Sequence, residues 1–264
     1  MKRAAIFLLA FASLAPAADE SRQDRGKRVV NEAIAALGGD AFLHMQDRVE
    51  TGRMYSFYRE QISGFSSAII YTRYLPPSPD KLAVREREIF GKKQDEGSLL
   101  FTEDGAWDIT FHGARPFDDQ RWNNYLDATR RNIFYILRER LNEPGMMLYS
   151  QGSDFYERMP VEIVDITDAA GVTITVYFDK TTRLPIRQTS RKRNPQFKDF
   201  DNEVSIFGKY RDVGSGVKWP YDVKRERNGE KLYEMYSDAV EVNKSLKDSL
   251  FALPANLKVL PKPK

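Results

Sequence analysis

The side chains able to do acid–base, nucleophilic or metal chemistry are few and scattered in this sequence. It has no cysteine and only two histidines, His44 and His112, and neither stands in a carboxylate pattern typical of a metal site. The lack of cysteine excludes disulfides, thiolate catalysis and cysteine-ligated zinc. The sequence also lacks a nucleophile elbow and a zinc-protease motif. We therefore predict no metal, no cofactor and no catalytic residue. A glycosidase-type carboxylate pair stays open, because it leaves no local motif.

One run of basic side chains could bind an anion. Arg187, Arg191, Lys192 and Arg193 precede Asn194-Pro195, near the end of a predicted strand. Such a cluster could contact anionic headgroups or an acidic partner. A solvated hairpin loop is the simpler interpretation, and the pattern favours it.

Alternating apolar side chains are the other candidate binding groups. Where every second residue of a strand is apolar, the strand has one apolar face. Such a face either packs as ordinary core, which is the default, or lines a cavity for an apolar ligand. The predicted cavity residues are Trp107, Ile109 and Phe111; Phe134 and Leu137; Ile174, Val176 and Phe178; Val204 and Ile206; and Trp219, Tyr221 and Val223.

The elements that must position these side chains are mostly strands. Helical spacing predicts a helix over 22–37, a short second helix after Asp40, and a long amphipathic helix over 120–141. About ten or eleven antiparallel strands occupy the rest, and the charged run 85–88 indicates a strand that is partly exposed or near an edge. A sheet this wide must curl, close or split. We therefore predict a mainly β (α+β) fold with one curved antiparallel sheet, whose concave face is covered by the N-terminal helices and the inserted helix.

The first residues predict export. A basic start at Lys2 and Arg3 precedes an apolar stretch over 4–14, and Ala15-Pro16-Ala17 supplies a cleavage site. We predict a signal peptide over 1–17, one domain over 18–254 and a loose tail over 255–264. No later stretch is apolar enough to anchor the chain in a membrane. The chain has 41 basic and 38 acidic residues, a balance that argues against a nucleic-acid partner.

The last 90 or so residues carry a family resemblance. The sequence resembles the outer-membrane lipoprotein-sorting (LolA-like) family, as a distant member, over about a third of its length. The residues that carry it are Asp179-x-x-Thr182-x-Leu184-Pro185, Tyr210-x-Asp212-Val213, Gly216-Val217-Lys218-Trp219-Pro220, Val240-x-Val242-Asn243-x-x-Leu246-x-x-x-Leu250-Phe251-x-x-Pro254 and, near the start, Ala33-x-x-Ala36-Leu37-Gly38-Gly39.

This resemblance implies an unclosed β-barrel with helices in its mouth and an apolar cavity for acyl chains. It implies a soluble, monomeric periplasmic carrier or binding protein for a lipid or an acylated lipoprotein, without catalysis. Burying most of an acyl chain of about 16 carbons contributes on the order of 10 kcal/mol, which ordering of the ligand partly offsets. The family's cavity arginine cannot be aligned, and Arg73 and Arg85 are candidates.

Two other functions stay open at this stage. The same sheet could serve as an envelope protein-interaction or regulatory module, with the charged helix over 121–140 as its partner surface. A hydrolase of envelope polymers would need two facing carboxylates of raised pKa in a cleft.

Overall fold

One antiparallel sheet organises the chain. In the computed structural model, which describes residues 20–78, 80–92, 97–194, 197 and 199–263, thirteen strands are hydrogen-bonded side by side in it. The strands of the first half are β1 (Asp47–Tyr58), β2 (Gln61–Tyr74), β3 (Val84–Phe90), β4 (Gly97–Phe101), β5 (Ala106–Thr110) and β6 (Gly113–Pro116). Those of the second half are β7 (Met147–Tyr156), β8 (Met159–Thr167), β9 (Thr173–Asp179), β10 (Pro185–Arg193), β11 (Phe200–Gly208), β14 (Asp222–Arg227) and β15 (Glu230–Val242). The predicted signal peptide lies outside the described residues.

The order of strands is that of two meanders joined at their inner edges. The sheet runs β6-β5-β4-β3-β2-β1-β15-β14-β11-β10-β9-β8-β7. The first and last strands in chain order, β1 and β15, therefore lie side by side at its centre. A separate two-stranded ribbon, β12 (Arg211–Asp212) and β13 (Lys218–Trp219), lies between β11 and β14 in the chain. Within the part of the chain that the structure describes, β6 and β7 at the two edges do not pair with each other, so the sheet is open.

The predicted fold class is therefore confirmed, with thirteen strands in the sheet where ten or eleven were expected. The two additional strands are β6, which contains Gly113 and Pro116, and β7, whose ladder is interrupted between Ser150 and Gly152. Neither sequence shows the alternation of apolar and polar residues that predicts a strand. The segment over 217–227, predicted as one strand, is divided at Pro220 into β13 and β14.

Helices cover the concave face of the sheet, and a 3₁₀-helical turn (Asp248–Phe251) follows the last strand. Helix α1 (Arg22–Leu37) begins after Ser21, whose hydroxyl accepts a hydrogen bond from the Asp24 amide at 3.1 Å, and ends at Gly38 with φ 127°. Helix α2 (Asp40–Leu43) follows. The inserted helix is interrupted at an extended Asn132, so it forms α3 (Asp119–Arg131) and α4 (Ile133–Tyr135), the latter continuing as a π-helical turn (Ile136–Arg140). Among the described residues, no helix has the length and apolar character needed to cross a membrane.

The contacts of α3 show how strongly the sheet is curved. Tyr125 of α3 stacks on Phe101 of β4 with ring centroids 4.0 Å apart, while Asn124 accepts a 2.9 Å hydrogen bond from Lys192 of β10. These strands are seven positions apart in the sheet, which is about 34 Å in a flat sheet. Helix α3 is only about 20 Å long. The sheet must therefore curl around it.

Apolar side chains pack on both faces of this sheet. The main core lies on the concave face, between α1, α2, α4 and the strands of the second half, and it includes Leu37, Phe42, Leu137, Val176 and Phe178. A smaller cluster on the opposite face holds Leu100, Ile109 and Ala114 under Leu253 and Leu257. The tail predicted to be loose lies along the edge strand β6, where Ala114 and Leu260 donate backbone hydrogen bonds at 2.9 and 2.8 Å to Lys258 and Ala114.

Candidate ligand-binding cleft

Helix α3 spans the concave face without burying any of its residues. Beneath it lies a cleft with two connected chambers, the outer of about 440 Å³ and the inner of about 210 Å³. Four residues line both chambers: Tyr125, Ala128 and Asn132 from the helical side and Arg225 from β14. The remaining wall of the outer chamber is Asn124, Asp127, Arg131, Gln188, Ser190, Lys192, Glu203, Val204, Ser205, Glu226, Arg227, Leu232 and Tyr233.

The inner chamber ends at a charged floor on the central strands. Arg48 of β1 donates hydrogen bonds to Glu50 and, at 3.0 Å, to the Thr72 hydroxyl, and its guanidinium lies 4.3 Å from the centre of the Trp219 ring. Ser237 donates to Glu50 from the neighbouring strand. The buried Nε atom of Arg48 has no hydrogen-bond partner among the described residues. The floor of the inner chamber is therefore polar and charged.

Two carboxyl groups stand beside this floor. Glu86 and Glu88 are two residues apart on β3, so they point to the same face, and both line the inner chamber. Burial, the charge of Glu86 and a hydrogen bond from that side chain together raise the pKa of Glu88 to about 8, against the opposing charge of Arg225. Burial also raises the pKa of Glu86, which the Arg48 charge opposes. The pair therefore holds a proton at neutral pH.

The geometry of this pair differs from that of a glycosidase. Catalytic carboxyl groups in glycosidases face each other across the scissile bond, about 5–9 Å apart. Glu86 and Glu88 are on one strand and hydrogen-bonded to each other. Burial likewise raises the pKa of Tyr125 and Tyr233, so both phenols stay neutral in the wall of the cleft. The site is arranged to bind polar and apolar groups together.

The two parts of the inserted helix are held to the rest of the fold to different degrees. Gln188 of β10 accepts a hydrogen bond from the Ile133 amide and donates one to the Arg131 carbonyl, both at 2.9 Å. Arg138 donates to the carbonyls of Phe42 and Met45 and lies over the Tyr74 ring. Helix α3 is held by side-chain contacts at its rim, such as the ion pair of Asp127 with Lys192 at 3.1 Å. The segment over 133–140 at the rear of the cleft is therefore fixed to the fold by hydrogen bonds to backbone groups, whereas α3 above the cleft is held mainly by side-chain contacts.

The sequence-predicted cavity residues separate into three groups. Phe134 and Trp219 line the inner chamber, and Val204 lines the outer one. Leu137, Ile174, Val176, Phe178 and Tyr221 are buried in the main core, and Val223 packs against it. Trp107 and Ile109 pack under Leu253 and Leu257 on the opposite face, Phe111 is 92% exposed, and Ile206 is half-buried on the outer face opposite Arg187. Their part in ligand binding stays a prediction.

Sequence reasoning missed the charged residues of the cleft. The run 85–88 contained the signal, because strand alternation puts Glu86 and Glu88 on one face and Arg85 and Arg87 on the other. The candidate arginines Arg73 and Arg85 lie outside the cleft, where they pair with Asp248 at 2.9 Å and with Glu103 at 2.6 Å. The arginines in the cleft wall are Arg48, Arg131, Arg138, Arg225 and Arg227.

No other arrangement among the described residues suggests a metal site. Within residues 20–78, 80–92, 97–194, 197 and 199–263, no group of three His, Cys, Asp or Glu side chains could hold a metal ion. His44 contacts the Asp40 carbonyl oxygen, and His112 stacks on Phe111.

The fold is shared with several solved proteins. Comparison with sequence models of protein families gives no match, and comparison with curated proteins gives none either. An outer membrane lipoprotein-sorting protein domain from Vibrio parahaemolyticus is 11% identical, with a TM-score of 0.58 over 87% of this chain and 97% of that one. A LolA superfamily protein from Nitrosomonas europaea is 9% identical, with a TM-score of 0.52 over 86% and 97%. This chain has the LolA-like fold.

A third solved structure extends the comparison. A DUF1329 family protein from Desulfovibrio piger is 13% identical and has a TM-score of 0.60 over 88% of this chain and 98% of that one. At such low identity, these comparisons show the shared fold alone. They confirm the resemblance inferred from the sequence at that level. In this LolA-like fold, the cleft under α3 lies on the concave face of the sheet.

Proposed function

We propose that this chain is a carrier or binding protein of the cell envelope that holds an acyl chain of a lipid or lipoprotein in the cleft under α3. In this proposal the signal peptide directs it to the periplasm, and it performs no catalysis. The observation that carries the proposal is a helix that covers the concave face of a LolA-like sheet and buries none of its residues. A hollow of about 440 Å³ beneath it is within the usual range for small-molecule sites.

The composition of the cleft wall favours an amphiphile over a pure hydrocarbon. Leu232, Ala128 and the ring of Tyr125 supply apolar surface, and each methylene group that they shield from water contributes about 0.8 kcal/mol. The same wall carries several charged and amide side chains, which a bare hydrocarbon would leave without partners. A ligand with one apolar tail and a polar head satisfies both kinds of surface.

Filling the cleft from the helix side provides the test. Ala128 is exposed toward both chambers, so Ala128→Phe places a ring in the space that the tail would occupy. Asn123→Phe is the matched control, because Asn123 is exposed on the same helix and lines neither chamber. The mature protein, purified from the bacterial envelope, is analysed by native mass spectrometry, lipid extraction and uptake of a fluorescent fatty acid.

We expect bound lipid and saturable uptake in the unmodified chain and in Asn123→Phe, and loss of both in Ala128→Phe at an unchanged melting temperature. Absence of lipid and of uptake in the unmodified chain would overturn the proposal. A stable complex with an envelope protein in such a lipid-free preparation would instead support the protein-interaction alternative, for which the outward surface of α3 is the candidate.

A further inference from the structure

A basic notch lies beside the outer chamber. It has a volume of about 700 Å³ and is lined by five basic side chains, those of Arg131, Arg187, Arg191, Lys192 and Arg193. No aspartate or glutamate is among its described lining residues. Arg131 and Lys192 both form ion pairs with Asp127 at 3.1 Å, so the positive potential of the notch comes mainly from Arg187, Arg191 and Arg193.

The notch exists because two neighbouring strands differ in length. The ladder between β9 and β10 ends where Ile174 is opposite Ser190, and β9 begins one residue earlier at Thr173. Strand β10 continues to Arg193 with β11 as its ladder partner on the other side. The sheet is therefore indented next to residues 191–193, and the turn that contains Gly171 forms the far wall.

Three arginines of the notch have unused hydrogen-bonding capacity. Arg187, Arg191 and Arg193 are on the same face of β10, and among the described residues their guanidinium groups form no hydrogen bond or ion pair. Aromatic rings hold two of them: Arg187 lies 4.9 Å from the Tyr177 ring centre, and Arg191 lies 4.7 Å from that of Phe200. Guanidinium groups positioned in this way match the paired oxygens of a phosphate or carboxylate.

The notch and the cleft share a wall. Arg131, Ser190, Lys192 and Val204 line both the notch and the outer chamber, so the two hollows adjoin along β10 and the end of α3. The three free arginines are on the outer face of β10, opposite the cleft, but the notch is lined from both faces where β9 has ended. The head group of a tail in the cleft would thus reach these arginines around the free edge of β10. We propose that the basic notch binds a phosphate-type anion, carried as the headgroup of the amphiphile whose tail occupies the cleft. This inference rests on the proposed function.

Three probes separate the headgroup from the tail. They are lysophosphatidylglycerol, an uncharged monoacylglycerol of the same chain length, and glycerol phosphate without a chain. The test variant is Arg191→Gln/Arg193→Gln. The control variant is Arg53→Gln/Arg158→Gln, which removes the same charge from exposed positions outside both hollows. Binding to the mature protein is measured by titration calorimetry at low and high salt.

We expect the unmodified chain and the control to bind lysophosphatidylglycerol on the order of tenfold more tightly than the monoacylglycerol. The test variant should lose that preference and keep the monoacylglycerol affinity, and added salt should weaken only the anionic lipid. Equal affinity for both lipids in the unmodified chain would contradict the headgroup site in the notch but remain consistent with a tail-binding cleft. Arginine-dependent binding of glycerol phosphate, with no binding of either lipid, would support a site for a free phosphate compound in the notch. It would contradict the proposal that the cleft binds an acyl chain. Tight binding of an acidic peptide in place of all three probes would overturn the inference in favour of a protein partner.

Discussion

The two helices that cover the concave face differ in how they contact it. Helices α1 and α3 have similar lengths and both begin at a side-chain cap, yet α1 buries five residues and α3 buries none. The residues buried in α1 are Gly26, Val29, Val30, Ala33 and Leu37. Helix α1 therefore packs directly on its half of the concave face, whereas α3 rests Trp122 and Tyr125 on the small cluster of Phe101, Ala106 and Phe117 and spans a cleft beside it.

Two features of the residues explain this difference. Gly26 brings α1 close to the edge strand β7, since a Cβ there would lie only 2.7 Å from the Leu148 carbonyl oxygen. The strands beneath the packed half present apolar side chains such as Val176 and Ile166. Those beneath α3 present Arg48, Glu86 and Arg225, whose burial against a helix would leave polar groups without partners. The nature of the floor thus decides whether the covering helix packs on it or spans it.

Truncating one leucine in each helix should give the largest contrast. Leu37 of α1 is fully buried, so Leu37→Ala should lower the free energy of unfolding by about 2–5 kcal/mol. Leu126 of α3 is half-buried and belongs to no core cluster of the described residues, so Leu126→Ala should cost less than about 1 kcal/mol. Chemical denaturation measures both values. Equal losses would mean that α3 is packed as tightly as α1 and that the cleft is not a hollow in solution.

The charged floor should show itself in the pH dependence of stability. Because the folded chain holds the proton of Glu88 up to a pKa of about 8, whereas the unfolded chain releases it near 4.5, the contribution of this group is complete below 4.5 and is lost as the pH rises through 8. Glu88→Gln cannot titrate. We therefore expect it to match the unmodified chain at pH 4 and to be about 2–3 kcal/mol more stable at pH 9, after allowing for solvent in the cleft.

A second glutamate provides a control of opposite sign. The hydrogen bond from Arg85 holds the pKa of Glu103 below its usual range, so this carboxylate stabilises the folded state above pH 4.5 and loses that effect in acid. Glu103→Gln should therefore be less stable than the unmodified chain at pH 7, and the two should converge as the pH falls below the usual range of a glutamate pKa. Melting temperatures across the pH range measure both effects. A Glu88→Gln curve parallel to that of the unmodified chain would show that the floor is freely solvated.

The packed half was the more predictable part from sequence. Alternation over 172–178 and helical spacing over 22–37 correctly indicate buried side chains such as Val176, Phe178 and Leu37, because apolar periodicity reports burial directly. The break at Asn132 was not predicted, since its cause is a local cap: the Asn132 side chain accepts a 2.9 Å hydrogen bond from the Phe134 amide. Secondary structure thus followed from local pattern, apart from interruptions that short polar side chains introduce.

The hollow half could not be predicted in the same way. Strand alternation shows that Trp107 and Ile109 share a face, but it does not show which face is concave. The C-terminal segment covers their face through Leu253 and Leu257, and no local pattern reveals that long-range contact. Likewise, the run 85–88 predicted a strand that is partly exposed or near an edge: its residues are partly exposed, but β3 has a partner on each side and directs its glutamates inward. Which face is hollow depends on the curvature of the whole sheet.

The helix caps offer the smallest and most local contrast between the two halves. Ser21 caps α1 with a 3.1 Å hydrogen bond from the Asp24 amide, and Asp118 caps α3 with a 2.7 Å bond from the Arg121 amide. Replacing either cap by alanine should cost about 1 kcal/mol. Ser21→Ala should lower the global unfolding midpoint, because α1 is part of the main core. Asp118→Ala should leave the midpoint unchanged and speed amide hydrogen exchange in α3 about fivefold, because that helix can open alone. A shift in midpoint as large as that of Ser21→Ala would show that α3 unfolds only with the core. A ligand could then not enter the cleft by lifting this helix and would need another route.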